Sequence, residues 1–312
     1  MSMKREIRIG TRDSKLAVWQ ARHTATRLEE LGVRTELVYI KSRGDVDLTT
    51  PLIEMGGKGV FTKALDEALL DQRIDLAVHS FKDLPTENPL PLRVAAVLER
   101  EDPRDCLVVP EGGTTEEFDS TKKVIATSSH RRRAQWLHRY PHHDMTHIRG
   151  NIQTRIRKVD ESGWGGAIFA VAGLKRMELD DRISEYLDWM IPAPAQGAVA
   201  VMTREDDEEL IDQVSQLEHR ETAICTGIER ELLNRMEAGC SAPVGAYAWI
   251  DAEETLTLQA IALTLDGSLQ YDVELSAPVA ESEGLGIQAA DALLEQGAAE
   301  IIENLDKTTR SE

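Results

Sequence analysis

Cysteine is scarce in this chain of 312 residues, and the three present, Cys106, Cys225 and Cys240, are odd in number and far apart. No C-x-x-C pair occurs, which argues against a disulfide framework or a zinc site and fits a reducing cytoplasm. Aromatic residues make up only 4%, few for the series of stacking rings that a single-stranded nucleic-acid platform requires. Apolar runs of membrane-spanning length are missing, and the start MSMKREIRIG lacks the apolar centre of a signal peptide. Positive charge is scarce towards the end. Residues 1–199 carry 30 acidic and 30 basic side chains, whereas residues 200–312 carry 25 acidic and 6 basic, within a net charge of −19. A broad basic footprint for nucleic acid is therefore absent. Lysine is also rare, at 11 of the 36 basic residues. The expectation is a cytoplasmic protein with neither a membrane nor a nucleic-acid partner.

What the chain does have is concentrated between Ala126 and Val159. Lys123–Ala126 reads as a short strand running into Thr127-Ser128-Ser129, whose hydroxyls can cap a following helix. Arg131, Arg132 and Arg133 then fall in the first turns of that helix, where the macrodipole disfavours cations unless an acidic group offsets them. The pattern repeats: Met145–Ile148 is a strand, Arg149-Gly150-Asn151 a tight turn, and Thr154-Arg155-Ile156-Arg157 opens a second helix. Guanidinium forks suit carboxylates and phosphates better than the point charge of lysine. One such arginine cluster reads as a solvated helix face; two in succession, each with hydroxyls and glycine, point to a polyanion site.

Periodicity around this stretch gives strands near residues 6–10, 36–40, 74–79 and 92–97, with helices at 15–31 and 61–72. A second α/β unit has strands near 107–109, 124–127, 145–148 and 167–170. Glu99–Arg104 and Ile191–Gly197 read as two crossings between lobes, and Ala198–Met202 as a strand rejoining the first lobe. The fold class expected is α/β, with two periplasmic-binding-protein-like lobes around a cleft plus a small α+β C-terminal domain. The boundaries are 1–99 with 198–217 for lobe 1, 100–197 for lobe 2, and 218–312 for the last domain. A helix at 206–217 closes lobe 1; in the last domain a helix at 221–236 precedes strands near 244–250, 255–265 and 268–275 and a final helix at 285–305.

Some segments invite chemistry directly. Lys41–Gly59 is long, polar and glycine-rich, as functional loops are. Its Gly56-Gly57-Lys58-Gly59 lacks the spacing of a nucleotide-binding P-loop. Lys82 and Asp83 follow an apolar strand and precede Pro85, where a parallel strand delivers side chains to a ligand; as a sequence pattern, a solvated corner is an equal reading. Cys240 lies in a Gly-Cys-Ser loop and can present a nucleophilic thiolate or a covalent anchor, against a plain loop cysteine as the blander reading. Cys106 and Cys225 read as small buried hydrophobes. The stretch HRYPHHDMTH matches no common zinc spacing and reads as a surface loop.

Taken together, IGTRDSKLAVWQA, RGDVDLTTPL with GGKGVFTK, LAVHSFKDLPT, EREDPRDC, ATSSHRRRAQ, IRGNIQTR, AVAGLKR, PAPAQGA and EAGCSAPVGAYA resemble the hydroxymethylbilane synthase, or porphobilinogen deaminase, family from Ile7 to Leu305. The resemblance implies a monomeric three-domain transferase with a dipyrromethane cofactor held through a thioether by Cys240. Such an enzyme joins four porphobilinogen units to that primer with loss of ammonia and releases linear hydroxymethylbilane, with a transient hand-over to uroporphyrinogen-III synthase. It makes Asp83 the catalytic acid. Lys82, Ser80, Thr127, Ser129, Arg131, Arg132 and Arg155 would contact the cofactor, and Arg12, Ser14, Gln20, Lys58, Arg149, Arg176 and Gln196 the substrate; no metal is implied. Three residues depart from the family pattern: Glu54 for Lys, Ala195 for Gly, and His130 for Leu. A two-lobed carboxylate-binding or sensing protein is the alternative, though it gives Cys240 and the third domain no task.

Overall fold

The computed structural model describes residues 5–41, 62–86, 89, 91–237 and 242–302. In β1 (Ile7–Thr11), Ile7 and Ile9 turn one face inward, and the chain enters α1 (Lys15–Glu30) at Ser14, whose Oγ accepts from the Ala17 N–H. That hydrogen bond satisfies one of the unpaired donors at the helix start. Then come β2 (Thr35–Tyr39), α2 (Lys63–Leu70), β3 (Leu76–Ser80), a 3-10 turn (Phe81–Asp83) and β4 (Leu92–Val97). The next portion contains β5 (Asp105–Val108), β6 (Val124–Ala126), α3 (His130–Arg139), β7 (Asp144–Thr146), α4 (Ile152–Glu161), β8 (Gly166–Ala170), α5 (Val171–Arg176) and the two-residue β9 (Glu185–Tyr186). It is followed by β10 (Val199–Arg204), α6 (Glu208–Ser215), α7 (Arg220–Arg235), β11 (Val244–Ile250), β12 (Thr255–Leu263), β13 (Gln270–Pro278) and α8 (Leu285–Leu293).

These elements form three sheets, ordered β2-β1-β3-β10-β4, β7-β6-β8-β5-β9 and β11-β12-β13. The first two share one plan. In each, the strand second from one edge runs antiparallel to its neighbours. That strand is the one the chain makes just after a crossing: β5 after 98–104 and β10 after 191–197. Two α/β sheets joined by two crossings, followed along the chain by a small antiparallel sheet and helices, is the α/β class read from the sequence. The chain divides into two compact units, 1–101 with 198–224 and 102–197 with 225–312, so the boundary falls inside α7.

In the first unit, Ile7, Ile9, Leu28, Leu76, Val78, Val199 and Val201 are buried in one core. Each such side chain contributes roughly 1.5–3 kcal/mol by leaving water. In the second unit, Ala134 of α3 packs against Ile261 and Leu263 of β12. The β12–β13 turn closes on the same helix, and His138 Nδ1 lies 2.8 Å from the Gly267 carbonyl.

Three expectations need correction. The last helix does not run through in one piece: it changes to a wider turn over Leu294–Ala298, where Gly297 takes φ 120° against the Tyr271 ring. Only glycine reaches that backbone region without strain. The α4 helix begins at Ile152, because Asn151 caps it by accepting from the Thr154 N–H at 2.9 Å. The histidine-rich stretch is not a plain surface loop either. His143 is buried, accepts from Trp136 Nε1 at 3.0 Å and lies 2.9 Å from the Phe118 carbonyl through Nε2.

This arrangement needs a neutral imidazole, since a proton on Nδ1 would face the indole N–H. Burial accordingly lowers the His143 pKa, outweighing the contribution of the Phe118 carbonyl. The folded value lies below the unfolded one, so the stabilisation is complete above the ordinary histidine pKa and is lost as pH falls through and below it. Asp66, pushed up to about 6 mainly by burial, titrates in the same window with the opposite sign. The difference between wild type and His143→Gln therefore isolates the histidine. Thermal unfolding between pH 7.5 and 5 should show a smaller acid-side loss in the variant, with about 1–3 kcal/mol lost at neutral pH. Parallel curves would refute this.

Candidate functional site

In the first unit, β3 ends at Ser80 and the chain turns at once through Phe81–Asp83, with Phe81 buried as the anchor and Asp83 exposed. The apolar strand thus delivers a carboxylate to solvent directly from a rigid sheet, with Lys82 half-buried beside it. Gln20, buried on α1, donates from Nε2 to Ser80 Oγ at 2.8 Å, which ties the strand exit to the helix. Parallel β1 pairs Gly10 with Ala77, so Arg12 leaves its strand level with His79. His79 is held at about 4 by burial first and by the Arg12 charge second, so this corner carries no histidine cation at neutral pH. Ser14 caps α1 two residues beyond Arg12. Arg12, Ser14, Gln20, Ser80, Lys82 and Asp83 therefore all lie at the carboxyl ends of β1 and β3 or at the adjoining start of α1. Lys58 and the rest of 42–61 lie outside the described residues.

In the second unit, the two helix starts form as the hydroxyls and asparagine dictate. Ser129 Oγ accepts from the Arg132 N–H at 3.4 Å, Thr127 Oγ1 accepts from the Ser129 N–H at 3.2 Å, and Ser128 Oγ donates to the Ile148 carbonyl at 2.8 Å. At the second start, Gly150 takes φ 116° and its carbonyl accepts from Arg155 Nε at 2.7 Å. The neighbouring Arg149 carbonyl accepts from Lys158 at 3.1 Å. Arg149 and Arg155 are half-buried.

Arg131 and Arg132 occupy a different environment. Both are buried, and both pair with Asp105 of β5 at 2.7 Å. Arg132 also donates to the Ile168 carbonyl at 3.0 Å, and Arg131 to the Ile191 carbonyl at 2.7 Å. Asp105 takes a further hydrogen bond from Gln196 Nε2 at 2.9 Å, and Arg176 donates to the Gly197 carbonyl at 2.6 Å. Burial alone would raise the Asp105 carboxyl; the two guanidiniums outweigh it and hold the pKa at about 2. The acid that offsets cations at the α3 start thus comes, in part, from the protein itself. Asp105 was not among the residues singled out from the sequence. Its signal was there: an acid heading the apolar run Asp105-Cys106-Leu107-Val108 demands a cation. Cys106 beside it is a buried thiol pushed up to about 12, chiefly by burial, which fits the structural reading.

Two balanced guanidiniums against one carboxylate leave a net positive charge, and Arg131 Nε is buried with no hydrogen-bond partner. With the half-buried Arg149 and Arg155 and the hydroxyls of Thr127 and Ser129, the donor set fits a ligand rich in carboxylates. That is the chemistry of a dipyrromethane, whose rings carry acetate and propionate. Cys240 lies outside the described residues. The other residue missed from the sequence is Glu229 of α7, which is fully buried. It falls on the same helix face as Cys225, Leu232 and Met236, and an acid on an apolar stripe is the pattern that would have found it.

The chain matches the family model described as porphobilinogen deaminase, dipyromethane cofactor binding domain, over residues 7–212, and the porphobilinogen deaminase C-terminal domain over 223–295. Among curated proteins it is 44% identical to a porphobilinogen deaminase of Syntrophotalea carbinolica, with 97% of this chain and 96% of the relative covered. It is 41% identical to the one of Pelotomaculum thermopropionicum, over 99% of this chain and all of the relative. Similar solved structures include the methionine-binding protein MetQ, at a TM-score of 0.44 and 12% identity, over 68% of this chain and 89% of that one. The comparisons define an enzyme class built on a dipyrromethane cofactor-binding domain. The chain belongs to the porphobilinogen deaminase family.

Proposed function

We propose that the chain is a hydroxymethylbilane synthase, which condenses four porphobilinogen molecules head to tail with loss of ammonia and then releases the linear tetrapyrrole by hydrolysis. The observation that carries this reading is an exposed carboxylate, Asp83, set rigidly at the exit of β3 in a chain that matches the family over nearly its whole length. The reaction needs a proton delivered to the leaving amine, stabilisation of the cationic azafulvene left behind, and a hydrogen-bond acceptor for the pyrrole N–H. One positioned carboxylate serves all three.

The dipyrromethane, joined to Cys240 by a thioether, supplies the ring to which the first substrate unit is added. Thr127, Ser129, Arg131, Arg132 and Arg155, with Ser80 and Lys82, are assigned to its acid groups and ring nitrogens. Arg12, Ser14, Gln20, Lys58, Arg149, Arg176 and Gln196 are assigned to the incoming porphobilinogen. The boundaries at 217 and 218, a monomeric state, a cytoplasmic location and hand-over to uroporphyrinogen-III synthase belong to the same proposal. No helix among the described residues is long and apolar enough to cross a membrane.

Intact mass tests the proposal against a carboxylate-binding protein without catalysis. Purified protein should exceed its chain mass by one dipyrromethane, and peptide mapping should place the adduct on Cys240. A chain of unmodified mass that binds porphobilinogen but releases no ammonia would establish the alternative.

A further inference from the structure

The return crossing 191–197 is held in an unusual conformation, and one buried acid does much of the holding. Ala195 lies at φ 60°, in the left-handed region that favours glycine, and is fully buried. Its N–H donates to Glu229 Oε2 at 2.6 Å, while Glu229 Oε1 accepts from the Ala248 N–H of β11 at 2.8 Å. The carboxylate therefore fastens the crossing to the antiparallel sheet. The Ala246 N–H adds a second link to the Pro192 carbonyl at 3.0 Å. The residue after Ala195 is Gln196, whose side chain donates to Asp105 and to the Pro103 carbonyl at 2.7 Å. Asp105 in turn holds Arg131 and Arg132. Glu229 itself lies on α7, the last described helix before Cys240 in the sequence.

We propose that Glu229 is a positioning residue for the elongation reaction: through Ala195, Gln196 and Asp105 it sets the Arg131–Arg132 pair relative to the domain that carries the primer cysteine. The inference rests on the functional reading above. Its physical content is a contiguous run of short hydrogen bonds, with one strained residue whose conformation depends on the acid. A glycine would take this left-handed backbone at little cost without a clamp. With Ala195 in that place, the conformation persists because its surroundings over-determine it.

The test uses the purified, primer-loaded enzyme and two variants, Glu229→Gln and the double variant Ala195→Gly with Glu229→Gln. A carboxamide keeps the shape but turns an NH2 towards one of the two backbone N–H groups, so one of the two hydrogen bonds is lost. For Glu229→Gln the expected results are an unchanged primer mass, hydrogen exchange over 193–197 at least tenfold faster, and a kcat at least tenfold lower with KM within twofold. Adding Ala195→Gly should restore kcat at least threefold, because glycine holds the turn without the acid.

A kcat within twofold of wild type in Glu229→Gln would overturn the proposal. So would a loss of kcat and melting temperature together that glycine does not relieve, since the acid would then be merely structural. If Glu229→Gln is insoluble, soluble and active double variant supports the proposal, and an equally insoluble one overturns it. Wild-type protein without primer or turnover would sink the enzyme reading alone, and hydrogen exchange would still decide whether Glu229 holds the crossing.

Discussion

Asp83→Asn is expected to abolish formation of hydroxymethylbilane while leaving the fold and the covalent primer in place. The side chain is exposed at the end of a 3-10 turn anchored by buried Phe81, so the fold draws little from it. Exposed substitutions of this kind change stability by about 0.5 kcal/mol or less, or roughly 1–2 °C in melting temperature for a chain of this size. The chemistry is far more sensitive. A carboxamide neither delivers a proton nor balances a developing cation. Positioned acid–base catalysis contributes about 10²–10⁴-fold, and charge stabilisation adds to it. Single-turnover assays of the primer-loaded variant should show porphobilinogen consumption reduced by roughly 10³-fold or more. Product release near the wild-type rate would remove Asp83 from the mechanism. A variant lacking the primer mass would instead place Asp83 in primer assembly.

The elements that carry this chemistry were legible in the sequence because they rest on local signals. An apolar run ending in Ser80, with Pro85 beyond the turn, places Asp83 without knowledge of the rest of the chain. Ser14 and Ser129 cap helices, each through a side-chain oxygen that accepts from the N–H three residues on. Asn151, read from the sequence as part of a turn, proves to cap in the same way. What the sequence did not reveal was the destination of Arg131 and Arg132. Their helix start calls for an acid and Asp105 calls for a cation, but nothing local in the sequence joins the two. Asp105 lies 26 and 27 positions earlier on a strand separated from α3 by β6, and only the sheet order β7-β6-β8-β5-β9 brings it underneath. Glu229 could be noticed as an acid on an apolar stripe, but its partners could not, since Ala195 and Ala248 belong to two other segments. The break at Gly297 was a different failure. The glycine was visible, but the Tyr271 ring that leaves no room for a side chain at this position comes from a separate strand, β13.

Asp105→Asn is expected to cost about 3–5 kcal/mol of stability, the usual loss when one partner of a buried ionic cluster is removed. The variant keeps the size of the side chain, so the loss is electrostatic: two buried guanidiniums are left facing each other without the carboxylate between them. Both hydrogen bonds from Arg132 Nε and Nη2 go to the same oxygen, at 3.0 and 2.7 Å, and an amide nitrogen in either position would add a donor to donors. The pH dependence separates this cause from a packing defect. The folded Asp105 pKa of about 2 lies below its unfolded value. Its stabilisation is therefore fully present above roughly pH 4 and is lost as pH falls through 2. Urea unfolding at pH 7 should show the full difference between wild type and variant, and the difference should shrink between about pH 4 and 2 as the wild type loses the same charge. A difference constant down to pH 2 would mean that packing, not charge, sets the cost. Because Arg131 and Arg132 are also the proposed primer-holding groups, the variant should retain less primer than Asp83→Asn does. The two substitutions thereby separate the acid proposed to perform the reaction from the acid that holds the arginines in place.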